Sequence, residues 1–206
     1  MLQAPSIVRD LRGPTPDPFE GVARTAAHGD LRAIHSLILS LTPTLLRAAM
    51  GVLGANHPEL EDVVQESALG LISALANFRY ECKVRHFAGR IAVLTALKAR
   101  RHLRSRSDAY AEPVREEVPL QEASPADAVH LARRRQILRS LFEELPEPQS
   151  EALVLHFVLE FTVDEIARAT AAPVDTVRSR LRLAKKALRT RIEADPMLRD
   201  VLEVLP

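Results

Sequence analysis

The stretch FTVDEIARATAAPVDTVRSRLRLAKKAL, residues 161–188, decides how the chain is read. Thr162 precedes an amphipathic run and Glu165 follows three residues on, the spacing at which a hydroxyl and a carboxylate cap a helix start reciprocally. Ile166 and Ala167 face inward, the small residues Ala169, Ala171 and Ala172 permit a tight turn, and a second helix begins after Pro173. In that helix Val174, Val177, Leu181, Ala184 and Leu188 share one stripe, while Arg178, Ser179, Arg182 and Lys186 fall on the exposed faces. One face anchors the helix; the others present long donors and a hydroxyl, the division that reading a DNA major groove requires. The pattern predicts a helix-turn-helix. A plain amphipathic surface helix with solvated arginines is the blander alternative.

Working outward, Leu145-Pro146 with Pro148 in the first turn predicts a helix over about 147–159, and another is expected over about 129–143. The last helix should run to about Ile192, with Asp195-Pro196 ending it and 194–206 forming a tail. Before 129 the character changes: Pro113, Glu116, Glu117, Pro119, Glu122 and Pro125 accumulate without apolar periodicity. Residues 106–128 read as a flexible acidic linker between two compact halves, domains at 20–105 and 129–193.

In the first half, Asp30 precedes an apolar series through Leu31, Ile34, Leu37, Ile38 and Leu41, which Pro43 should interrupt before Leu45, Leu46, Ala49 and Val52 resume it. A second helix is expected over about 58–77, with Val64, Ala68, Leu71 and Leu75 inward and Asp62, Glu66, Leu69 and Ser73 outward. A third, over about 84–104, carries a stripe of Phe87, Ile91 and Leu94 and a basic surface. Pro5, Pro14, Pro16 and Pro18 make residues 1–19 a flexible arm. The fold class is all-α: two small helical domains, the C-terminal one with a helix-turn-helix.

A net charge of +1 conceals strong segregation. Eight Lys/Arg lie between Lys83 and Arg106 with no acid, and eight more between Arg168 and Arg191 against Asp175 alone. Four acids lie between Glu59 and Glu66, and seven between Glu143 and Glu165, with no base in either block. Two basic segments suggest two contacts with a polyanion. The single cysteine, Cys82, excludes an internal disulfide and a cysteine-based zinc site. His86, His102, His130 and His156 lack metal-ligand spacing, and no Walker loop, nucleophile elbow or HExxH pattern occurs. No catalytic residue, metal or cofactor is expected. The sequence shows no apolar signal core and no run approaching a membrane span, so a cytoplasmic protein without membrane insertion is expected.

Several stretches resemble signatures of one family. Leu145–Leu153 resembles the LPxxQRExxxL opening of sigma region 4, Phe161–Ala167 its EIA helix, and Pro173–Leu181 the PxGTVxSRL recognition helix of the extracytoplasmic-function group of the sigma-70 family. Leu60–Glu66 resembles the AEDxxQE signature of sigma region 2, and Phe78-Arg79 with Phe87–Ala92 its FRxxxxFxxWLxxIA stretch. The likeness covers about residues 20–105 and 129–192 in the family's order. Departures are Phe87-Ala88 for Trp-Leu, Leu94 for Asn, Lys98 for Asp and Asp175 for Gly.

The resemblance implies a bacterial transcription initiation factor that binds core RNA polymerase and promoter DNA. Asp62, Gln65, Glu66 and Leu69 would dock on the β′ clamp helices, and region 4 would meet the β flap. Asn77, Arg79, Lys83, Arg85, Lys98, Arg100, Arg101 and Arg104 would hold the −10 element, where opened DNA needs cations for its backbone. Thr176, Arg178, Ser179, Arg180, Arg182 and Lys186 would read the −35 element. The family also implies an anti-sigma factor wedged between the domains. An autonomous helix-turn-helix regulator is the alternative, but it leaves the first basic segment and the acidic docking face without a role.

Overall fold

The computed structural model describes residues 16–109 and 145–194, the side chains of 103–109 excepted. Every regular element among the described residues is helical. The first half holds α1 (Glu20–Ala27), α2 (Leu31–Leu53), α3 (Leu60–Leu75) and α4 (Val84–Ala109). The second holds α5 (Glu147–Leu153), which widens into one π-helical stretch over Val154–Val158, then α6 (Val163–Thr170) and α7 (Val174–Ala194). The helix expected over 129–143 lies outside the described residues.

Asp30 starts α2 by accepting a hydrogen bond from the Ala33 N–H at 2.7 Å. Contrary to the expectation from Pro43, α2 is a single helix that carries this proline in its interior. Pro43 removes one i→i−4 bond, but it sits on an exposed face. Leu37, Leu41 and Leu45 are fully buried on the other side, and burial of each leucine is worth roughly 1.5–3 kcal/mol. Tertiary packing outweighs the local defect. α2 is also apolar enough to cross a membrane by length and composition, with mean hydropathy 1.5, which corrects the expectation that no such run exists. Its fully buried leucines make it the core helix of the first half.

α4 differs from expectation in two ways. It extends to Ala109, into the segment expected to be linker. Its buried face is Val84, Ala88, Ala92, Val93, Ala96 and Leu97, while Phe87 and Ile91 are only partly buried. The alanines let α4 lie close against α2, so the small residues and not the bulky ones mark the core side. Asp17, from the arm, caps α4: its Oδ2 accepts from the Val84 N–H at 2.6 Å.

The two domains pack directly on one another. A single buried cluster runs from Leu37, Leu41 and Leu45 through Ala88, Ala92 and Val93 to Leu155, Leu159, Phe161 and Ile166. α4 contacts α5, the π-helical stretch and α6, and α2 contacts the π-helical stretch.

Candidate nucleic-acid and polymerase interfaces

The helix-turn-helix is assembled locally. The Thr162 hydroxyl accepts from the Glu165 N–H while the Glu165 carboxylate accepts from the Thr162 N–H, a complete capping box. Ala171 closes α6 in the left-handed conformation at φ +50°, and its N–H returns to the carbonyls of Ala167 and Arg168. α7 then buries Val177, Leu181, Ala184 and Ile192. Arg178, Arg182 and Lys186 are exposed, and Thr176, Ser179 and Arg180 half-buried. The expected −35 set therefore lies along one helix whose start is held by a defined turn. Asp175, present where the family has Gly, engages Arg178 at 2.9 Å.

On the first half, Asp62, Gln65 and Glu66 are exposed on α3. Leu69 stands 58% exposed beside them, so an acidic face with a protruding leucine is present as expected. Glu66 reaches Lys98 on α4 at 3.8 Å, tying one expected docking residue to one expected −10 cation.

The expected −10 set is spread over the loop before α4 and along that helix. Asn77, Arg79, Lys98 and Arg101 are exposed, and Lys83, Arg85 and Arg100 are half-buried. Arg104 lies on α4, its side chain outside the description. The loop is stiffened by aromatics: Phe78 stacks on Phe87 at 4.2 Å and meets Tyr80 at 4.6 Å, and Arg24 covers the Tyr80 ring at 4.0 Å. Tyr80 adopts φ +59°. Cys82 is half-buried, and burial pushes its thiol up to about 11, so it stays protonated at neutral pH and is a poor nucleophile.

Side chains that join the two domains are, apart from Arg101, absent from the sequence-derived site set. Arg90 of α4 donates to Glu151 of α5 at 2.9 Å, with the Glu151 side chain almost fully buried. Arg101 meets Glu147 at 2.6 Å. His86, 6% exposed, lies 3.5 Å from Glu165 and 4.4 Å ring to ring from Phe161. Burial lowers the His86 pKa, the charges of Lys83, Arg85 and Arg168 reinforce that, and Glu165 opposes it. Burial would raise the Glu165 carboxyl, but hydrogen bonds from Thr162 and the charges of His86 and Lys83 hold it below its ordinary value. The signal for this seam was in the sequence as complementary blocks, basic from Lys83 and acidic up to Glu165.

A short-turned helix pair with a basic outer face, beside a helical domain bearing an acidic face and a cationic helix, is the arrangement expected of a two-domain transcription initiation factor. The comparisons agree. Residues 37–107 match the model for Sigma-70 region 2 and residues 135–188 that for Sigma-70, region 4. The chain is 34% identical to the ECF RNA polymerase sigma-E factor of Salmonella typhimurium over 68% of its own length and 76% of that protein. Its fold is shared with CnrH, solved in complex with the cytosolic domain of CnrY, at TM-score 0.57 and 23% identity over 84% of this chain and 96% of that one. It is shared too with the sigma factor RpoE of Bartonella quintana, solved with the anti-sigma factor NepR, at TM-score 0.52 and 18% identity over 80% and 99%. The chain belongs to the sigma-70 family, in its extracytoplasmic-function group.

Proposed function

We propose that this sigma factor docks on the β′ clamp helices of core RNA polymerase through Asp62, Gln65, Glu66 and Leu69. It holds the −10 strand with Asn77, Arg79, Lys83, Arg85, Lys98, Arg100, Arg101 and Arg104, and reads the −35 element with Thr176, Arg178, Ser179, Arg180, Arg182 and Lys186. The protein acts in the cytoplasm by contacts with DNA, polymerase and an anti-sigma factor, without catalysis. The observation that carries this reading is the two-sidedness of α7. Its aliphatic face is buried, and Arg178, Arg182 and Lys186 stand on its outer faces, where they can meet base edges and phosphates.

The test is to mix the pure protein with promoter-sized DNA, with and without core polymerase, and to score retention and run-off transcripts. Weak binding alone and specific initiation with core is the expected result; tight specific binding without core would favour an autonomous regulator. Asp62→Arg should weaken association with core by about tenfold or more, since reversing an interface charge places like charges together. Unchanged co-elution with core would displace the docking face from α3.

A further inference from the structure

α7 carries one side chain that neither anchors the helix nor extends its row of cations. Among the described residues of α7, Leu183 alone is a large apolar side chain exposed to solvent, at 41%. Val177, Leu181, Ala184 and Ile192 already make the buried stripe. Leu183 follows Leu181 by two residues, about 200° round the helix, and so points away from the core. It also lies four residues after Ser179 and three before Lys186, within about 40° and 60° of them by helical rotation. Both belong to the −35 set, so the leucine stands inside that surface.

The neighbours define what can cover it. Arg178, Arg182 and Lys186 are exposed around it, so a partner lying over Leu183 meets cations at its rim and fits best if its flanks are anionic. The middle of that partner must be apolar, because a leucine pressed on polar groups strips their water and returns no hydrogen bond. A protein partner would bring an apolar core of several residues, and no second large apolar side chain is exposed on α7. Exposed Phe157 is engaged elsewhere: it lies under the Lys185 ammonium at 4.9 Å, and Lys185 is some 200° round the helix from Leu183. The major groove of DNA meets both demands. Phosphates line its walls, and thymine projects a C5-methyl group into it. Leucine neither donates nor accepts a hydrogen bond, so thymine is the base that it can favour.

Resting on the reading of α7 as the −35 helix, we propose that Leu183 is a specificity-determining residue that packs on the 5-methyl group of a thymine in that element. With α7 lying in the groove, Leu183 stands about 6 Å further along the axis than Ser179, four residues at about 1.5 Å each. At about 3.4 Å per base pair, the thymine falls within roughly two base pairs of the one that Ser179 addresses. Arginine and lysine favour the acceptors of guanine; the leucine adds a preference that they cannot express.

Removing the methyl group from the DNA tests this without altering the protein. Duplexes carrying a randomised window are selected twice, by the full-length protein with core polymerase and by the protein alone, and transcripts from the selected pool are scored. Each thymidine of the recovered −35 element is then replaced in turn by deoxyuridine, which keeps every hydrogen-bonding atom and lacks only the methyl. At one or two positions the parent should lose about three- to fourfold in retention, as expected for one methyl group returned to water. Leu183→Ala should lose as much on the unmodified duplex and nothing further on deoxyuridine, so that the two changes do not add. Alanine is the best helix former, so helicity should match the parent. Retention indifferent to deoxyuridine at every position overturns the proposal. So does a deoxyuridine effect that survives in Leu183→Ala, which would assign the methyl contact to Thr176. A Leu183→Ala protein that binds core more weakly and keeps the deoxyuridine effect makes the leucine a protein contact, and overturns it as well. If duplexes are recovered but yield no transcript, the sigma-factor reading falls while the deoxyuridine series still decides the role of Leu183. If no duplex is recovered either way, both fall.

Discussion

Asp175 shows how one side chain can restrain the arginine three residues along. It stands at the first turn of α7, where a carboxylate is favoured by the helix dipole, and it holds Arg178 at 2.9 Å in an exposed pair. Exposed pairs are worth roughly 0–1 kcal/mol, so the interaction delays Arg178 without disabling it. Asp175→Asn should tighten retention of a mapped promoter duplex by holoenzyme about two- to fivefold, the free-energy equivalent of such a pair. Arg178→Ala should weaken it about tenfold or more if the guanidinium makes a bidentate base contact. Equal retention by all three proteins would remove Arg178 from the reading surface. His86 gives a second prediction at this scale. Its pKa is lowered in the closed chain from an ordinary 6.5, by burial first and then by Lys83, Arg85 and Arg168, against the pull of Glu165. The unfolded or opened chain therefore takes up the proton at higher pH than the closed one. The contribution is full above about 6.5 and is lost as pH falls through the lower native value. Thermal melting should thus move to lower temperature between pH 7.5 and pH 5.5, roughly across the histidine range, and His86→Phe should flatten that part of the profile. A melting temperature that rises on acidification in this window would contradict the assignment.

Among the elements, α6 has its start written most locally. Thr162→Ala removes the hydroxyl that accepts from the Glu165 N–H and leaves only the backbone half of the capping box; it should destabilise the protein by about 0.5–2 kcal/mol, the usual range for a lost cap, which urea unfolding would measure, with Thr162→Ser restoring most of the loss. This element was legible because its cap, turn and stripe all lie within a few residues. α2 was read less well. The proline rule predicts a break at Pro43, but the buried faces of Leu37, Leu41 and Leu45 are satisfied only by an unbroken helix, and a rule of local sterics cannot weigh that. On α4 the bulky residues Phe87 and Ile91 suggested the core side, whereas close packing against α2 places Ala88, Ala92 and Ala96 there; alanine is a weak hydrophobic signal and a strong steric one. The π-helical stretch Val154–Val158 had no sequence signal at all. It is followed by Glu160 at φ +59°, a conformation that disfavours a side chain by about 1–2 kcal/mol. The packing of Val158 against Gly51 and of Leu159 against Gly89 of the first domain accounts for its persistence.

At the scale of the whole molecule, the separation of charge was visible in the sequence but its destination was not, because pairing between residues some 60 positions apart leaves no periodicity to read. Cationic blocks were assigned to an external polyanion, and the structure shows that one of them also meets an internal set of carboxylates. Which interaction holds the domains together can be decided by magnitude. Arg101–Glu147 is exposed on both sides, and such pairs contribute roughly 0–1 kcal/mol and are screened by salt. Arg90–Glu151 is more sheltered, with Glu151 nearly buried, and is screened less. Against these stands the apolar strip of Leu155, Leu159 and Phe161, each no more than 2% exposed, where a single leucine-to-alanine change typically costs about 2–5 kcal/mol. The apolar strip should therefore dominate, with the ion pairs setting register. Raising sodium chloride to about 0.5 M, where the Debye length falls to roughly 4 Å, should leave the scattering radius of the free protein close to its low-salt value. Leu159→Ala should expand it even at low salt, with helix content retained. The opposite pattern, a molecule that opens with salt yet stays closed when Leu159 is truncated, would mean that the carboxylates and cations of the seam carry its stability themselves.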